Sequence, residues 1–195
     1  MVKLYLVRHG ESEANVNHEI MRSKPDSDIQ LTGKGYYDAL SAGLYLKKYM
    51  EDYSLKIDYP PLFLISPWKR AQQTYKVISS VVSGHKRDDL SLIHEHEMNL
   101  NGHSGNWKKF IEYRNSGWDT TKYYDVKFQG GETLREMRNR AKKFVNILKS
   151  GEFGMLVVAV SHGQFIKEVI SVVKKIHPNS VQHPANGQVI ELEIK

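Results

Sequence analysis

Two apolar runs with the same kind of ending constrain this chain more than any other feature. Lys3-Leu4-Tyr5-Leu6-Val7 leads straight into Arg8-His9-Gly10-Glu11-Ser12, and Met155 to Val160 leads as abruptly into Ser161-His162-Gly163. Both runs read as strands. In an α/β protein the carboxyl ends of central strands open onto the crevice where ligands bind, so polar residues there face a ligand rather than the core. Each end delivers a histidine followed by glycine, and glycine lets the backbone approach a ligand closely or take a positive φ.

Helical and strand patterns alternate along most of the chain, which predicts an α/β fold: a three-layer αβα sandwich around a mostly parallel sheet. Thr32 is placed to cap a helix running to about Met50, with Tyr36, Leu40, Gly43 and Leu44 on its apolar side. Leu62 to Ile65 predicts a strand, followed by Ser66 as cap and Pro67 at the first position of a helix that buries Ala71, Tyr75, Ile78 and Val82. Leu90 to Ile93 reads as a short strand. Leu134, Met137, Ala141, Phe144, Val145 and Leu148 trace the stripe of a long helix, and Gln188 to Ile194 closes the sheet.

At 195 residues the chain fits one domain, 1–195, without visible repeats. The absence of cysteine excludes disulfides, thiolate catalysis and thiolate metal sites. No signal-like segment precedes the first strand and no apolar run is long enough to span a bilayer, so the expectation is a soluble, cytoplasmic protein with no membrane partner. The net charge of +6 comes from lysines spread along the chain, which argues for a solvated surface rather than a nucleic-acid tract.

The polar residues then share an address. Arg70 falls near the start of the helix after the second strand, where the positive helix end also faces the crevice. Arg8, Arg70, His9 and His162 together offer two guanidinium forks and two imidazoles, a set matched to a phosphoryl group's oxygens and growing charge. Phosphoryl transfer is the chemistry expected.

Leu6-Val7-Arg8-His9-Gly10-Glu11-Ser12, Asp28-x-x-Leu31-Thr32-x-x-Gly35, Ser66-Pro67-x-x-Arg70-Ala71-x-x-Thr74, Gly130-Gly131-Glu132-Thr133 and Ser161-His162-Gly163 occur in order. This series resembles the histidine phosphatase superfamily, which includes the cofactor-dependent phosphoglycerate mutases. The resemblance implies a phosphoglycerate mutase-like fold, His9 as the nucleophile that attacks phosphorus, and Arg8, Arg70 and His162 holding the phosphoryl oxygens. Gly163 follows as part of the binding motif. Asn15 matches an asparagine of the family that adds a neutral donor; its bland alternative is to cap the following turn.

The family also carries a glutamate that protonates the leaving oxygen, with an apolar residue three places on and glycines four and eight places on. Glu95 and Glu97 compete for this role. Counting from Glu97 gives Leu100, Asn101 and Gly105; counting from Glu95 gives Met98, Asn99 and His103. The first count keeps one glycine, so Glu97 is expected as the proton donor, with Asn101 taking the left-handed backbone of the missing glycine. His94-Glu95-His96-Glu97 puts two histidines on one face of a strand, but it lacks helical zinc-motif spacing and an evident third ligand, so no metal is expected. Trp107, Trp118, Tyr123 and Tyr124 predict either a lid over the site or aromatics that pack a loop against the body.

The reading from sequence is a metal- and cofactor-independent phosphatase that hydrolyses small phosphomonoesters through a phosphohistidine. A phosphoglycerate mutase is the enzymatic rival, disfavoured by the short stretch from Glu97 to Gly130 and by Glu13-Ala14-Asn15 where mutases that resemble this chain carry a Trp-Asn pair. The rival from another class is a phosphate- or phosphoprotein-binding module without catalysis, against which stands the presence of every expected catalytic residue type.

Overall fold

The computed structural model describes residues 1–54 and 60–195. Five strands, β1 (Val2–Arg8), β2 (Leu62–Ile65), β3 (Lys86–Asp89), β4 (Leu156–Ser161) and β5 (Val189–Ile194), form one sheet in the order β3-β2-β4-β1-β5. All neighbours are parallel except β5, which runs antiparallel to β1 at one edge. The two runs that ended in histidine are thus the adjacent central strands β1 and β4, with Arg8 level with Ser161.

Alternation along these strands builds two cores. Leu4, Leu6, Val157 and Ala159 point to one face, where the long helix α6 (Leu134–Ser150) and α7 (Gly163–Lys174) cover them; Tyr5, Val7, Val158 and Val160 point to the other, under α2 (Gly33–Ser54) and α3 (Lys69–Ile78). A strand covered on both faces must be apolar at every position, and β4 is buried throughout. The expected αβα sandwich is the observed fold. A third, smaller cluster lies above the carboxyl ends of the strands, where α1 (Glu13–Val16) and α4 (Ser104–Asn115), the latter followed by the short α5 (Thr120–Tyr123), bring Ala14, Met21, Leu100, Phe110 and Phe128 together. Among the described residues, no helix is long and apolar enough to cross a membrane.

The stripe read for α6 is the buried face, residue for residue, and Thr133 starts that helix with a capping box to Glu136. The Gly130-Thr133 motif is therefore a helix entry. Other expectations need correction. Thr32 does cap α2, its Oγ1 accepting from the Gly35 amide at 3.1 Å, but the helix buries Ala39, Ala42, Leu46 and Met50 while Tyr36, Leu40 and Leu44 stay exposed. The small residues win because they let α2 lie close on α3: a Cβ on Gly43 would press on Val81 and the Ile78 backbone. Leu90 to Ile93 is not a strand; the edge strand is the preceding Lys86–Asp89, fully exposed, and Ser91–Ile93 is a 3-10 turn that buries Ile93. A polar edge strand carries no hydrophobic signal, and charge on an edge is how sheets avoid further pairing. Helix α3 begins at Lys69, not at Pro67, because Trp68 has extended backbone, φ −72° and ψ 138°, and so cannot continue a helix from Pro67.

Candidate active site

β1 and β4 deliver His9 and His162 side by side, ring centroids 5.2 Å apart, both buried. His9 Nδ1 lies 2.7 Å from the Gly10 carbonyl oxygen. A carbonyl only accepts, so Nδ1 carries the proton and Nε2 presents its lone pair. Arg70 Nε donates to that Nε2 at 3.1 Å. Burial first, then the guanidiniums of Arg70 and Arg8, hold the His9 imidazole well below the usual histidine range and keep it neutral. A neutral, tautomerically fixed imidazole is the form that can act as a nucleophile.

The loop that carries His9 depends on close backbone approach. A Cβ on Gly10 would overlap the Gly35 carbonyl oxygen, and one on Gly35 would overlap that of Glu11. Thr74 Oγ1 accepts from the Gly10 amide at 3.1 Å. The Asp28-to-Gly35 motif is thus the surface on which the Arg8-His9-Gly10 turn rests.

His162 Nε2 lies 2.7 Å from Ser66 Oγ, and that oxygen also takes the Trp68 amide at 3.4 Å. With its oxygen accepting from Trp68, the hydroxyl keeps its own proton to donate to Nε2, the arrangement in which Nδ1 carries the His162 proton. That Nδ1 is buried without a partner, and so is Arg8 Nε. Two orphaned buried nitrogens on the residues next to His9 in space or sequence mark a place for an acceptor-rich ligand, because such groups cost free energy until they are paired. Arg8 is fixed by its Nη1, which donates to the Pro184 carbonyl at 2.7 Å. Arg70 Nη1 donates to Asp26 twice, to the backbone oxygen at 2.7 Å and to Oδ1 at 2.8 Å. Burial pushes the Asp26 carboxyl up while Arg70 opposes it.

The structure brings His9, Arg8, Arg70, His162 and Asn15 to one place. All but His162 line a cavity of about 440 Å³, and His162 is buried beside His9. Asn15 fixes the turn, its Oδ1 accepting from the Ser12 amide, the Ser12 hydroxyl and Asn186 Nδ2, and the residue lines the cavity. Gly163 starts α7, and a Cβ there would meet the His183 ring and Arg8 Nε.

Glu97 is not brought to the site. It is exposed, and its backbone is engaged with Glu132 and packed on Gly131. Glu95 lines the cavity instead, its Oε2 accepting from the Gln164 amide at 3.1 Å and its Oε1 from the Phe165 amide at 3.2 Å at the positive end of α7. The backbone gives the physical reason for the correction. The left-handed asparagine is Asn99, φ 45°, four places after Glu95; Asn101 does not have positive φ. Asn99 Nδ2 donates to the Gln129 carbonyl, and Asn106 Nδ2 donates to the carbonyls of Met98, Asn99 and Gln129, fixing that turn. The histidines of the same segment point apart: His94 stacks on Trp68 and His96 is buried against Phe128 with Nε2 on the Glu132 carbonyl. Among the described residues no group of three or more metal-ligating side chains comes together.

Sequence reasoning missed Asp26, Ser66, Gln164, His183 and Asn186 as parts of this site. Ser66 lay within a recognised motif. The 183–186 loop carried no signal, since it reaches the site only because β5 pairs with β1 and its Asn186 then donates to the His9 carbonyl at 3.2 Å.

This arrangement defines a class of protein: an αβα domain with a neutral histidine at a strand end, facing a clamp of arginines and a second histidine. The chain belongs to the histidine phosphatase superfamily (branch 1), whose family description matches residues 4–195. A 2,3-bisphosphoglycerate-dependent phosphoglycerate mutase of Cytophaga hutchinsonii is 25% identical over 194 residues, 92% of this chain and 81% of that protein. A phosphoglycerate mutase-like protein of Arabidopsis thaliana is 34% identical over 76 residues, 39% of this chain and 24% of its own length, so the match spans about a quarter of that relative. In fold, the chain is similar to Bacillus stearothermophilus YhfR, with TM-score 0.74, 21% identity and coverage of 100% and 92% of the two chains. It is likewise similar to a mycobacterial glucosyl-3-phosphoglycerate phosphatase, with TM-score 0.73, 20% identity and coverage of 99% and 91%.

Proposed function

We propose that this chain hydrolyses phosphomonoesters through a phosphohistidine on His9. The observation that carries the reading is the fixed tautomer of His9, with Nε2 facing a cavity into which Arg8 and Arg70 project. The phosphoryl group takes the place defined by the orphaned Arg8 Nε and His162 Nδ1, and Arg70 turns its donors from His9 Nε2 to a phosphoryl oxygen as the nitrogen attacks. Glu95, at the mouth of α7, protonates the leaving oxygen and then takes a proton from the water that hydrolyses the phosphohistidine. No divalent ion enters these steps, because the two arginines already meet the developing charge.

A rapid quench after mixing with a reactive phosphomonoester should trap a label on His9 that is labile to acid and stable to base. Label at another residue, or full turnover by His9→Ala, would overturn the proposal.

A further inference from the structure

The cavity has two chemically different ends. Arg8 and Arg70 are the lysine or arginine residues that line it, and both stand at the phosphoryl end. The opposite wall is Met21, Met98, Phe110, Tyr113 and Trp118, with Ala14 beside them. Phe110 and Tyr113 are only 1% exposed and so back the wall, while the half-buried Met98 and Trp118 form its surface; Trp118 stacks edge-on against both of the buried rings, at 5.8 Å and 5.0 Å. Trp118 itself holds φ 62°, a conformation that costs a bulky residue free energy, and its amide donates to the Tyr113 carbonyl at 3.2 Å. The wall is therefore set in place by its backbone as well as by packing. The two methionines beside it are flexible enough to fit ligands of different outline.

Among the described residues, no lysine or arginine lines this end of the cavity to meet a second anionic group, and Arg114, which acts on His18, stands outside the lining. Glu95 lines the cavity beside it, and burial first, then the charges of Glu95, Glu168 and Asp119, raise the Tyr113 hydroxyl out of its ordinary range. His18, on the same side, is kept neutral by burial and by Arg114. Resting on the hydrolase reading above, we propose that the substrate's alcohol portion is uncharged and apolar or aromatic, and that it leaves along the wall of Phe110, Tyr113 and Trp118. Phosphorylated hydroxyacids, with a carboxylate or second phosphate on the leaving group, are poor substrates.

A series of n-alkyl phosphates tests this without confusing binding with leaving-group reactivity, since the alcohols of ethyl, butyl and hexyl phosphate differ little as leaving groups. Log kcat/KM should rise with chain length, by roughly fourfold for each methylene that is fully buried, and 3-phosphoglycerate should fall below butyl phosphate. Trp118→Gly, in which relief of the left-handed backbone offsets part of the lost aromatic packing, should lower the hexyl-to-ethyl ratio; Phe110→Leu should lower it less. A flat or falling series, or preference for 3-phosphoglycerate, overturns the inference, and does so alone if His9 is still phosphorylated. Loss of labelling with every ester would instead bring down the hydrolase reading and this one with it.

Discussion

Replacing Glu95 by glutamine removes the group that can carry the proton and keeps one oxygen of two, so that one of the Gln164 and Phe165 amides retains its acceptor and the other faces an NH2. The start of α7 loses a charge worth about 0.3–1 kcal/mol and one amide acceptor worth about 1–3 kcal/mol. What is lost is proton transfer to the leaving oxygen, a contribution of about 10²–10⁴ in rate, or about 3–5 kcal/mol in the barrier. That loss appears only when the leaving group needs a proton. With butyl phosphate, Glu95→Gln should lower kcat/KM by at least about 10², whereas with 4-nitrophenyl phosphate, whose phenolate departs unaided, the fall should stay within about tenfold. Glu97→Gln, at an exposed position outside the cavity, should change neither beyond about twofold, in line with a surface substitution of at most about 0.5 kcal/mol. Steady-state kinetics with both esters on the three proteins decide the matter. A leaving-group-dependent defect in Glu97→Gln and none in Glu95→Gln would show that the turn at Asn99 does not mark the catalytic register.

Arg70→Ala and His162→Ala should each lower kcat/KM by about 10²–10³, as loss of one transition-state donor does; wild-type kinetics in either would remove that residue from the phosphoryl clamp. Gly35→Ala should destabilise the protein by about 1–3 kcal/mol in urea denaturation, since the new Cβ overlaps the Glu11 backbone under the His9 loop, and an unchanged midpoint would refute that packing argument. Burial lowers the folded-state pKa of His9, His96 and His162 below the unfolded value of about 6.5. The unfolded chain therefore binds more protons in acid, and stability should fall as pH drops below about 6.5, by up to about 1.4 kcal/mol per imidazole for each pH unit until the folded-state values are reached. Denaturation midpoints that match at pH 7.5 and pH 5.5 would contradict neutral burial. Turnover should survive exhaustive chelation with EDTA, and loss of activity restored by zinc, manganese or magnesium would refute the metal-free mechanism.

The sequence by itself determined the fold and the centre of the site. Apolar runs buried on both faces of a sheet leave no freedom in where they lie, so β1 and β4, and with them His9 and His162, could be placed from pattern alone. The 3.6-residue stripe of α6 is equally local, and it emerged intact. Tertiary structure decided what depends on a neighbour distant in sequence. Which face of α2 turns inward was set by how closely Ala39, Ala42 and Gly43 let it approach α3, a contest the larger Tyr36, Leu40 and Leu44 lost. Which glutamate reaches the cleft was set by a left-handed Asn99 fixed across the chain by Gln129 and Asn106, which spacing to a glycine does not reveal. Asp26 became a partner of Arg70, and Asn186 of His9, only when loops far apart in the chain met above the sheet. Local periodicity reports which residues are buried; the hydrogen bonds that orient a catalytic side chain run between segments, and only the folded chain brings them together.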